Sequence, residues 1–312
     1  MEKLIVSSSP HFNSKTTTST IMRDVLIALT PAAIASIIYF GLDALILIIV
    51  SVGSCVLCEY VSRKVMKRKQ TIGDLSAVVT GLLLAFNMPA SVSPIIVAFG
   101  AVIAIVVVKQ MFGGIGQNFV NPALTARIVL MNSFPSKMTA WTTTFDGITT
   151  ATPLGILGEG TGETLPTYFE MFIGNRAGCL GETCILALLI GGIYLVVRKI
   201  ISPVIPVTYM ATAFIFSALL GRDPIMDLLA GGLVLGAVFM ATDYATSPIH
   251  TKARVVFAIG CGIMTILIRE FASLPEGVSY SIMIMNILVP LIERVVKVKP
   301  FGFVKKSKEA TK

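Results

Sequence analysis

Residues 44–61 read ALILIIVSVGSCVLCEYV, and the residues that follow them at 63–69 read RKVMKRK. An apolar run of this length, ending in a basic cluster, is typical of a helix that crosses a membrane and stops at the cytoplasmic surface. The whole chain repeats this character, because 54% of its 312 residues are hydrophobic, 13% are charged and its mean hydropathy is +0.84. Soluble domains carry about 25% charged residues, so the sequence predicts a protein that faces lipid.

Further apolar runs predict about ten membrane-crossing helices, five in each half of the chain. The first five are expected at Val25–Phe40, Ala44–Val61, Leu75–Met88, Pro94–Val108 and Pro122–Asn132. The last five are expected at Leu180–Val197, Val204–Leu220, Ile225–Ala241, Val255–Ile268 and Val278–Leu291. Several are shorter than the ~20 residues of a straight crossing and contain Gly or Pro, which is typical of broken helices that line a site. The predicted fold class is an all-α polytopic membrane protein.

The distribution of basic residues predicts the orientation of the chain. If the N-terminus is cytoplasmic and each span reverses direction, 20 Lys and Arg residues lie on the cytoplasmic side and 4 lie outside, with Arg127 inside a span. Cytoplasmic loops of membrane proteins carry such an excess. Both termini are therefore expected inside, and the long polar connection in the middle of the chain is expected outside. The basic residues form no aromatic-rich face, which argues against nucleic-acid binding.

This topology divides the chain into five segments. They are a cytoplasmic N-terminal segment (1–24), a first five-helix repeat (25–132), an extracytoplasmic loop (133–178), a second five-helix repeat (179–292) and a basic cytoplasmic tail (293–312). An odd number of spans in each half would make the two repeats inverted in the membrane. A weak similarity between two segments, which we call the sequence echo, supports a repeat. Asn121-Pro122 precedes Ala126-Arg127, and Ser247-Pro248 likewise precedes Ala253-Arg254.

A hydroxyl-rich motif, DGITTATPL, occupies residues 146–154 of the outer loop. Its simpler interpretation is an exposed turn whose side chains bond nearby backbone. The stretch also resembles the Asp-x-x-(Ser/Thr)-x-Ala-Thr signature at which a flavin transferase links FMN, through its phosphate, to the last threonine. Asp146, Thr149, Ala151 and Thr152 match this signature, whereas Thr150 stands in place of the usual glycine. The resemblance implies that Thr152 carries the flavin.

A glycine-rich motif, GGIGQNFVNPA, occupies residues 113–123. Its three glycines exclude a regular helix and permit close approach of the backbone. Gln117, Asn118 and Asn121 offer amide groups, and paired amides match the alternating acceptors and donors of a flavin's pyrimidine edge. We therefore expect a pocket for a second, unanchored flavin. Asn121 is also expected to cap a helix that begins at Pro122.

A third motif, MATDYATSP at residues 240–248, contains Asp243, which either caps a helix end or lines the route of electrons or ions. Ionisable residues in or near membrane spans are costly and are candidates for such a route. They are Glu59, Asp74, Lys109, Arg127, Glu182, Asp227 and Asp243. Capping or snorkelling explains most of them, and we assign an ion path to Asp227 and Glu182.

Three other kinds of site are not supported by the sequence. Cys55 and Cys58 are three residues apart on one helix and lack a second pair or a histidine to complete a metal site. His11 and His250 lie outside the spans and cannot ligate a haem within the bilayer. No residue of the chain is assigned as catalytic by itself.

Taken in order, these three motifs resemble the family that comprises the RnfD component of the Rnf electron-transport complex and the NqrB component of the sodium-translocating NADH:quinone reductase. The resemblance covers essentially the whole chain and is greater for the RnfD branch. It implies covalent FMN at Thr152, a riboflavin site nearer the inner face, a flavin transferase for maturation, and assembly with five other subunits in a bacterial cytoplasmic membrane. It also implies electron transfer between ferredoxin and NAD that is coupled to export of Na⁺ or H⁺. The alternatives are the NqrB component of the quinone reductase, a flavin-free solute transporter or channel, and a structural component without cofactors.

Overall fold

The computed structural model of the chain describes residues 16–144, 150–159, 165–272 and 276–296. These residues form helices joined by short loops, with one isolated β-bridge between Pro89 and Cys179. The prediction of an all-α fold is confirmed.

The longest helix, α1, runs over Thr18–Val65 and is divided at Gly41, whose φ of 66° and ψ of −141° lie outside the helical region. Thr17 begins the helix by accepting a hydrogen bond from the backbone N–H of Thr20. At about 1.5 Å per residue, each arm is long enough to cross the ~30 Å apolar core of a bilayer. The two spans that the sequence predicts in this region are therefore the two arms of α1, joined at a glycine.

Three further helices complete the first half of the chain. They are α2 (Ser76–Phe86), α3 (Pro94–Val102), which continues as a π-helix over Ile103–Gln110, and α4 (Pro122–Ser133). Proline occupies the first turn of α3 and of α4, where its missing N–H costs no hydrogen bond. A 3₁₀ turn at Ile72–Asp74 precedes α2.

The connection between the halves contains three short helices, α5 (Pro135–Met138), α6 (Pro153–Glu159) and α7 (Tyr168–Ile173). The second half begins with α8 (Ile185–Val197) and α9 (Val204–Leu219). It continues with α10 (Pro224–Leu229) and α11 (Leu233–Leu235), which extends as a π-helix over Gly236–Met240. It ends with α12 (Thr251–Phe271) and α13 (Val278–Val295).

Three of the described helices, α1, α12 and α13, are long and apolar enough to cross a membrane by length and composition. Four shorter apolar helices, which lie at 76–86, 94–110, 185–197 and 204–219, correspond to other predicted spans. The predicted span at 225–241 is interrupted at residues 230–232, between α10 and α11. The break between α10 and α11 agrees with the expectation of broken helices, the π-helical segments were not predicted, and the total of ten spans stays a prediction.

The two halves pack against each other at several places, including α4 against α13, and two of these places are close backbone contacts. Helix α8 lies against the first arm of α1 at Gly191, where a Cβ atom would overlap the carbonyl group of Ala28. Near the end of α2, the backbone N–H of Leu180 donates to the carbonyl of Met88 at 3.0 Å, and that of Gly181 donates to Phe86 at 3.0 Å. The segment that follows α2 and the one that precedes α8 therefore meet as a short antiparallel pair inside the protein.

The sequence echo around Asn121 and Ser247 belongs to segments that lie side by side, because the Asn121 amide donates to the carbonyl of Met240 at 3.3 Å. An inversion would place echoed segments at opposite faces of the membrane. The echo therefore does not support an inverted repeat, and the inverted five-helix repeat stays a prediction.

Candidate functional site

A cavity of about 380 Å³ lies between the two halves of the chain, and we call it the interhalf cavity. Its apolar wall is formed mainly by Met22, Val25, Val79, Leu83, Leu195, Ile200 and Phe239. Its polar wall is formed by Ser76, Lys109, Asn118, Asn121, Thr242 and Asp243. Small-molecule sites typically have about 300–1,000 Å³, apolar walls and a few polar groups that fix orientation. The interhalf cavity has these properties.

Asn121 joins the glycine-rich motif to the opposite half of the chain. Its side-chain oxygen accepts hydrogen bonds from the backbone N–H groups of Ala123 at 3.1 Å and Leu124 at 3.3 Å, as expected for the cap of α4. Its amide nitrogen is directed to Met240 in the second half. Because both ends of the amide are used, Asn121 shapes the cavity and has little capacity left for a ligand.

Asn118 and Asp243 meet at the polar end of the cavity, where the Asn118 amide lies against the Asp243 carboxylate. The turn of Asp243 is held by Thr246, whose hydroxyl donates to the carboxylate at 3.2 Å, and by Ser247, whose N–H donates to the Asp243 carbonyl at 3.0 Å. Gln117 is exposed and does not line the cavity. The structure thus brings Asn118 and Asn121 of the predicted flavin pocket together with Asp243 of the third motif, but it leaves Gln117 outside the cavity.

A buried ion pair lies beside the cavity. The Lys109 ammonium, carried on the π-helix after α3, is 2.9 Å from Glu59 and 2.6 Å from the hydroxyl of Ser76. Glu59 also accepts hydrogen bonds from Thr71 at 2.8 Å and Gln110 at 3.1 Å. The full set of partners offsets the desolvation of both charges.

A second group of buried polar residues surrounds the loop pairing between α2 and α8, and we call it the arginine–glutamate cluster. It consists of Asn87, Arg127, Arg176, Cys179, Glu182 and Glu276. Arg127 forms an ion pair with Glu276 and donates to Asn87 Oδ1 at 2.7 Å and to Cys179 Sγ at 3.4 Å. This one guanidinium therefore connects residues from four separated parts of the chain.

Two arginines of this region stabilise the break between α10 and α11. Arg176 donates to the carbonyls of Leu229 and Glu182, and Arg269 donates to those of Asp227 at 2.5 Å and Ala230 at 3.0 Å. The last carbonyls of a helix lack intrahelical partners, and cationic side chains satisfy them here. Charged side chains thus supply hydrogen-bond partners at the break between α10 and α11.

The two carboxylates predicted for the ion path have different surroundings. Asp227 accepts from Ser217 at 2.6 Å and from Arg222 at 2.8 Å, and it lies 3.6 Å from Arg269. Glu182 accepts from the backbone N–H of Cys179 at 2.9 Å through Oε1, while its Oε2 has no hydrogen-bond partner among the described residues. Asp227 is therefore a structural anchor, whereas Glu182 retains a free acceptor.

Thr152 caps the short helix α6, because its hydroxyl oxygen accepts from the backbone N–H of Gly155 at 3.1 Å. The side chain is 9% exposed. Leu154, two residues on, anchors α6 in a small apolar cluster with Met171, Met226 and Ala230. Asp146 and Thr149 of the same motif lie outside the described residues, and Ala151 is half-buried next to Thr152.

From the sequence, Arg127 was named only as one of several ionisable residues in or near spans, and Asn87 and Glu276 were not singled out. An Asn-Met-Pro break at 87–89 after an apolar run was the available signal for a buried turn. All five cysteines are free thiols, and Cys55 is buried in the apolar core.

These features define a class of protein, namely a helical membrane protein whose broken helices enclose a ligand-sized cavity and a group of buried charges. The chain belongs to the NQR2, RnfD, RnfE family, whose model matches residues 5–302.

Three relatives are similar to this chain over nearly its whole length. The D component of the Na(+)-translocating ferredoxin:NAD(+) oxidoreductase complex of Acetobacterium woodii is 49% identical, with 98% of each chain covered. The D component of the proton-translocating ferredoxin:NAD(+) oxidoreductase complex of Clostridium ljungdahlii is 43% identical, with 95% of this chain and 96% of the relative covered. The D component of an ion-translocating oxidoreductase complex of Stutzerimonas stutzeri is 36% identical, with 90% of this chain and 91% of the relative covered.

Proposed function

We propose that this chain is the RnfD membrane component of an Rnf-type ion-translocating oxidoreductase, with FMN bound covalently at Thr152 and riboflavin in the interhalf cavity. In the assembled six-subunit complex it passes electrons on the route between ferredoxin and NAD, coupled to movement of Na⁺ or H⁺. The assignment within the complex is supported by the whole-length likeness to the D components of two ferredoxin:NAD(+) oxidoreductases. The observation that carries the role in flavin binding is the interhalf cavity, where two polar motifs meet.

The residues of the interhalf cavity fit a flavin ring. The apolar wall, which includes Val79, Leu83 and Phe239, provides flat contact surface for an aromatic ring system. At the polar end, the Asn118 amide nitrogen is used by Val120 and Asp243, so the Asn118 oxygen and the Asp243 carboxylate offer acceptors to the imide N–H of the pyrimidine edge. The Lys109 ammonium borders the same space, but it is paired with Glu59 and is held by Ser76, so we assign it no role in stabilising charge on the ring.

The hydroxyl of Thr152 can form a phosphoester linkage and still cap α6. As a cap, its oxygen accepts a hydrogen bond from Gly155 and needs no proton for that role. An ester oxygen can keep the same acceptor function, so attachment leaves the start of α6 intact. The Leu154 contacts hold the attachment point against α7 and α10. A tethered flavin would thus be fixed near the protein surface without a deep pocket.

A bound flavin supplies one- and two-electron chemistry, and the polypeptide supplies position, electrostatics and exclusion of water. Asn118 and Asp243 orient the pyrimidine edge, while the apolar wall excludes water from the ring. Asn121 holds the two motifs at a fixed separation by its bonds to both halves of the chain. Electron transfer at this site therefore depends on groups from both halves.

The covalent site is tested by fluorescence of the chain in denaturing gels after co-expression with a competent flavin transferase. We expect wild-type protein to show a flavin signal and Thr152→Ala to show none. Thr152→Asn is the sharper variant, because an asparagine retains the cap of α6 but has no hydroxyl to esterify. Thr150→Ala, which removes an exposed neighbouring hydroxyl, should retain the signal.

Intact-mass measurement distinguishes the alternatives. Wild-type protein should gain one FMN phosphodiester. A mass equal to the bare polypeptide would contradict the covalent site, and flavin-free protein that moves solute into vesicles would favour a transporter or channel with the same broken helices. Electron transfer from NADH to quinone in the native complex would instead favour the quinone-reductase branch of the family.

A further inference from the structure

Unpaired buried polar atoms are concentrated at one place in the protein. Among the described residues, buried side-chain atoms without a hydrogen-bond partner occur on Arg127, Thr142, Arg176, Glu182 and Thr183 in this region, and on Arg63 and Gln110 elsewhere. Thr142 follows Trp141, which packs against Ala177 and against Cys179, a member of the arginine–glutamate cluster. Buried polar atoms normally have a protein, water or ion partner. The region therefore has unused capacity for small polar ligands.

Glu182 is the acidic member of this group. It is 3% exposed, and its Oε2 has no hydrogen-bond partner in the described part of the chain. The oxygen is directed at the break between α10 and α11, because a Cβ placed on Gly232 would lie 2.8 Å from it. Glycine at this position keeps the space in front of the carboxylate free of a side chain.

The charged groups around Glu182 are committed to other partners. Arg176 donates to backbone carbonyls, and Arg269 donates to the carbonyls of Asp227, Ala230 and Glu276. Arg127 forms the ion pair with Glu276, whose carboxylate lies near Glu182 and Cys179. These cations raise the local positive potential but donate no hydrogen bond to the Glu182 carboxylate.

From this geometry we propose that Glu182 takes up and releases the translocated monovalent cation at the break between α10 and α11. The step is an exchange in which Glu182 as a carboxylic acid releases its proton and the carboxylate binds Na⁺, or in which the proton alone binds and leaves. This inference rests on the proposed role of the chain in cation translocation.

Two physical arguments support the exchange. An ionised carboxylate with an unsatisfied oxygen is costly in a buried site, so a bound proton or cation stabilises it. A carboxylate at the break of a helix, close to the free backbone groups there, is a recurrent location of ion sites in membrane transport proteins.

A carbodiimide reagent tests the proposal in membrane vesicles that contain the assembled complex. Dicyclohexylcarbodiimide adds to protonated carboxyl groups in apolar surroundings, and mass spectrometry of peptides locates the adduct. We expect labelling at Glu182 that increases as the pH falls. Glu276 and Asp227, whose carboxylates are paired with arginine, provide internal controls.

The cation is identified by repeating the labelling in the presence of Na⁺ or of K⁺. If Glu182 binds Na⁺, a Na⁺ concentration about ten times the dissociation constant should slow labelling roughly tenfold, because the free site falls in proportion. The same concentration of K⁺ should have no effect. Labelling that depends on pH but is unaffected by Na⁺ assigns the site to proton exchange.

Variants at Glu182 and at Gly232 provide the second measurement. Glu182→Gln should abolish the label and lower cation transport per electron about tenfold or more, while Glu182→Asp retains part of both. Gly232→Ala places a methyl group against Oε2 and should weaken Na⁺ protection, whereas Gly53→Ala, in a helix with open space around it, should not.

The proposal is overturned if Glu182→Gln vesicles transport the wild-type number of cations per electron, or if labelling at Glu182 is independent of both pH and Na⁺. Flavin content is measured on the same samples. Loss of flavin from wild-type complex would contradict the proposed function, whereas normal flavin with unaltered transport in Glu182→Gln contradicts only the cation site.

Discussion

The interhalf cavity and the arginine–glutamate cluster both join the two halves of the chain, but they differ in what fills them. The cavity has about 380 Å³ of space and a mainly apolar wall, with polar groups such as Asn118 and Asp243 at one end. The cluster is packed with charged side chains, and the small cavity beside Arg127 and Glu276 is only about 10 Å³. Space with few charges suits a flat organic ligand, whereas charges with little space suit a proton or a small ion.

The two regions are also physically connected. Asn87 accepts from Arg127 in the cluster, and its own amide donates to Leu83 O at 2.6 Å, a residue that also lines the cavity. Met240 contacts both Asn87 and Asn121. A continuous series of hydrogen bonds and packed side chains therefore joins the cavity to the cluster.

The largest expected effect comes from breaking the ion pair in the cluster. Arg127→Met should lower the free energy of unfolding by about 3–5 kcal/mol, because it leaves Glu276 as a buried charge without its partner. Trp141 is the only tryptophan of the chain and packs beside the cluster, so its fluorescence reports unfolding of this region in a detergent titration.

Arg198→Met is the matched control, because Arg198 is paired with Asp24 but is largely exposed. Its effect should be smaller, since the Arg198 side chain is 53% exposed and the buried Asp24 keeps a hydrogen bond from Tyr194. Equal shifts for the two variants would show that the cluster contributes no more to stability than a surface pair.

The next effect concerns the close contact between α1 and α8, two helices that contribute residues to the interhalf cavity. Gly191→Ala should destabilise the protein by about 1–3 kcal/mol, because its methyl group would overlap the backbone of Ala28 and force α8 away from α1. Since Val25 on α1 and Leu195 on α8 line the cavity, flavin retention should fall as well.

Gly53→Ala provides the comparison for that variant. Gly53 lies inside α1 with open space around it, so alanine should stabilise the helix by roughly 0.5–1 kcal/mol. Thermal denaturation of the purified proteins should therefore shift in opposite directions for the two glycines. A shift in the same direction would contradict the close approach at Gly191.

The sequence predicted the helical framework well because proline and glycine act locally. Pro94 and Pro122 begin their helices as predicted, since proline at the first helical turn has a fixed φ and needs no N–H partner. Gly41 separates the two arms of α1 between the predicted spans. These signals are contained in a few adjacent residues and need no knowledge of tertiary contacts.

The site was predicted less completely because its contacts are distant in sequence. Asn118 lines the cavity while Gln117 is exposed, and adjacent side chains in a loop cannot be assigned to opposite directions from composition. The sequence also placed Asp227 and Glu182 in one class, whereas only the structure shows that Asp227 is fully paired. Asp146 and Thr149, which lie outside the described residues, stay predictions.

A smaller effect is expected for single polar groups of the interhalf cavity. Asn118→Leu should remove a hydrogen-bonding group from the polar end and cost about 1–3 kcal/mol of flavin binding. This corresponds to roughly 5–150-fold weaker retention. The measurement is the amount of non-covalent flavin released by acid from washed, purified protein.

Gln117→Leu is the matched control, because the adjacent amide is exposed and does not line the cavity. It should retain flavin at the wild-type level. If both variants lose flavin equally, the glycine-rich motif acts as a whole segment, and the assignment of Asn118 as the contacting amide is wrong.

Glu182→Gln is expected to have the smallest effect on stability and the largest effect on cation transport. Glu182→Gln should change the free energy of unfolding by less than about 1 kcal/mol, because Oε2 has no partner to lose among the described residues and the amide oxygen can still accept from Cys179. Removal of a buried, unpaired charge even favours a small increase in stability.

Asp227→Asn is the opposite case, since it weakens the bonds to Ser217 and Arg222 and the attraction to Arg269. Trp141 fluorescence in the same titration compares the two variants. A large destabilisation by Glu182→Gln would mean that Oε2 has a partner in the folded protein, and the carboxylate would then belong with the structural anchors rather than with an exchangeable ion.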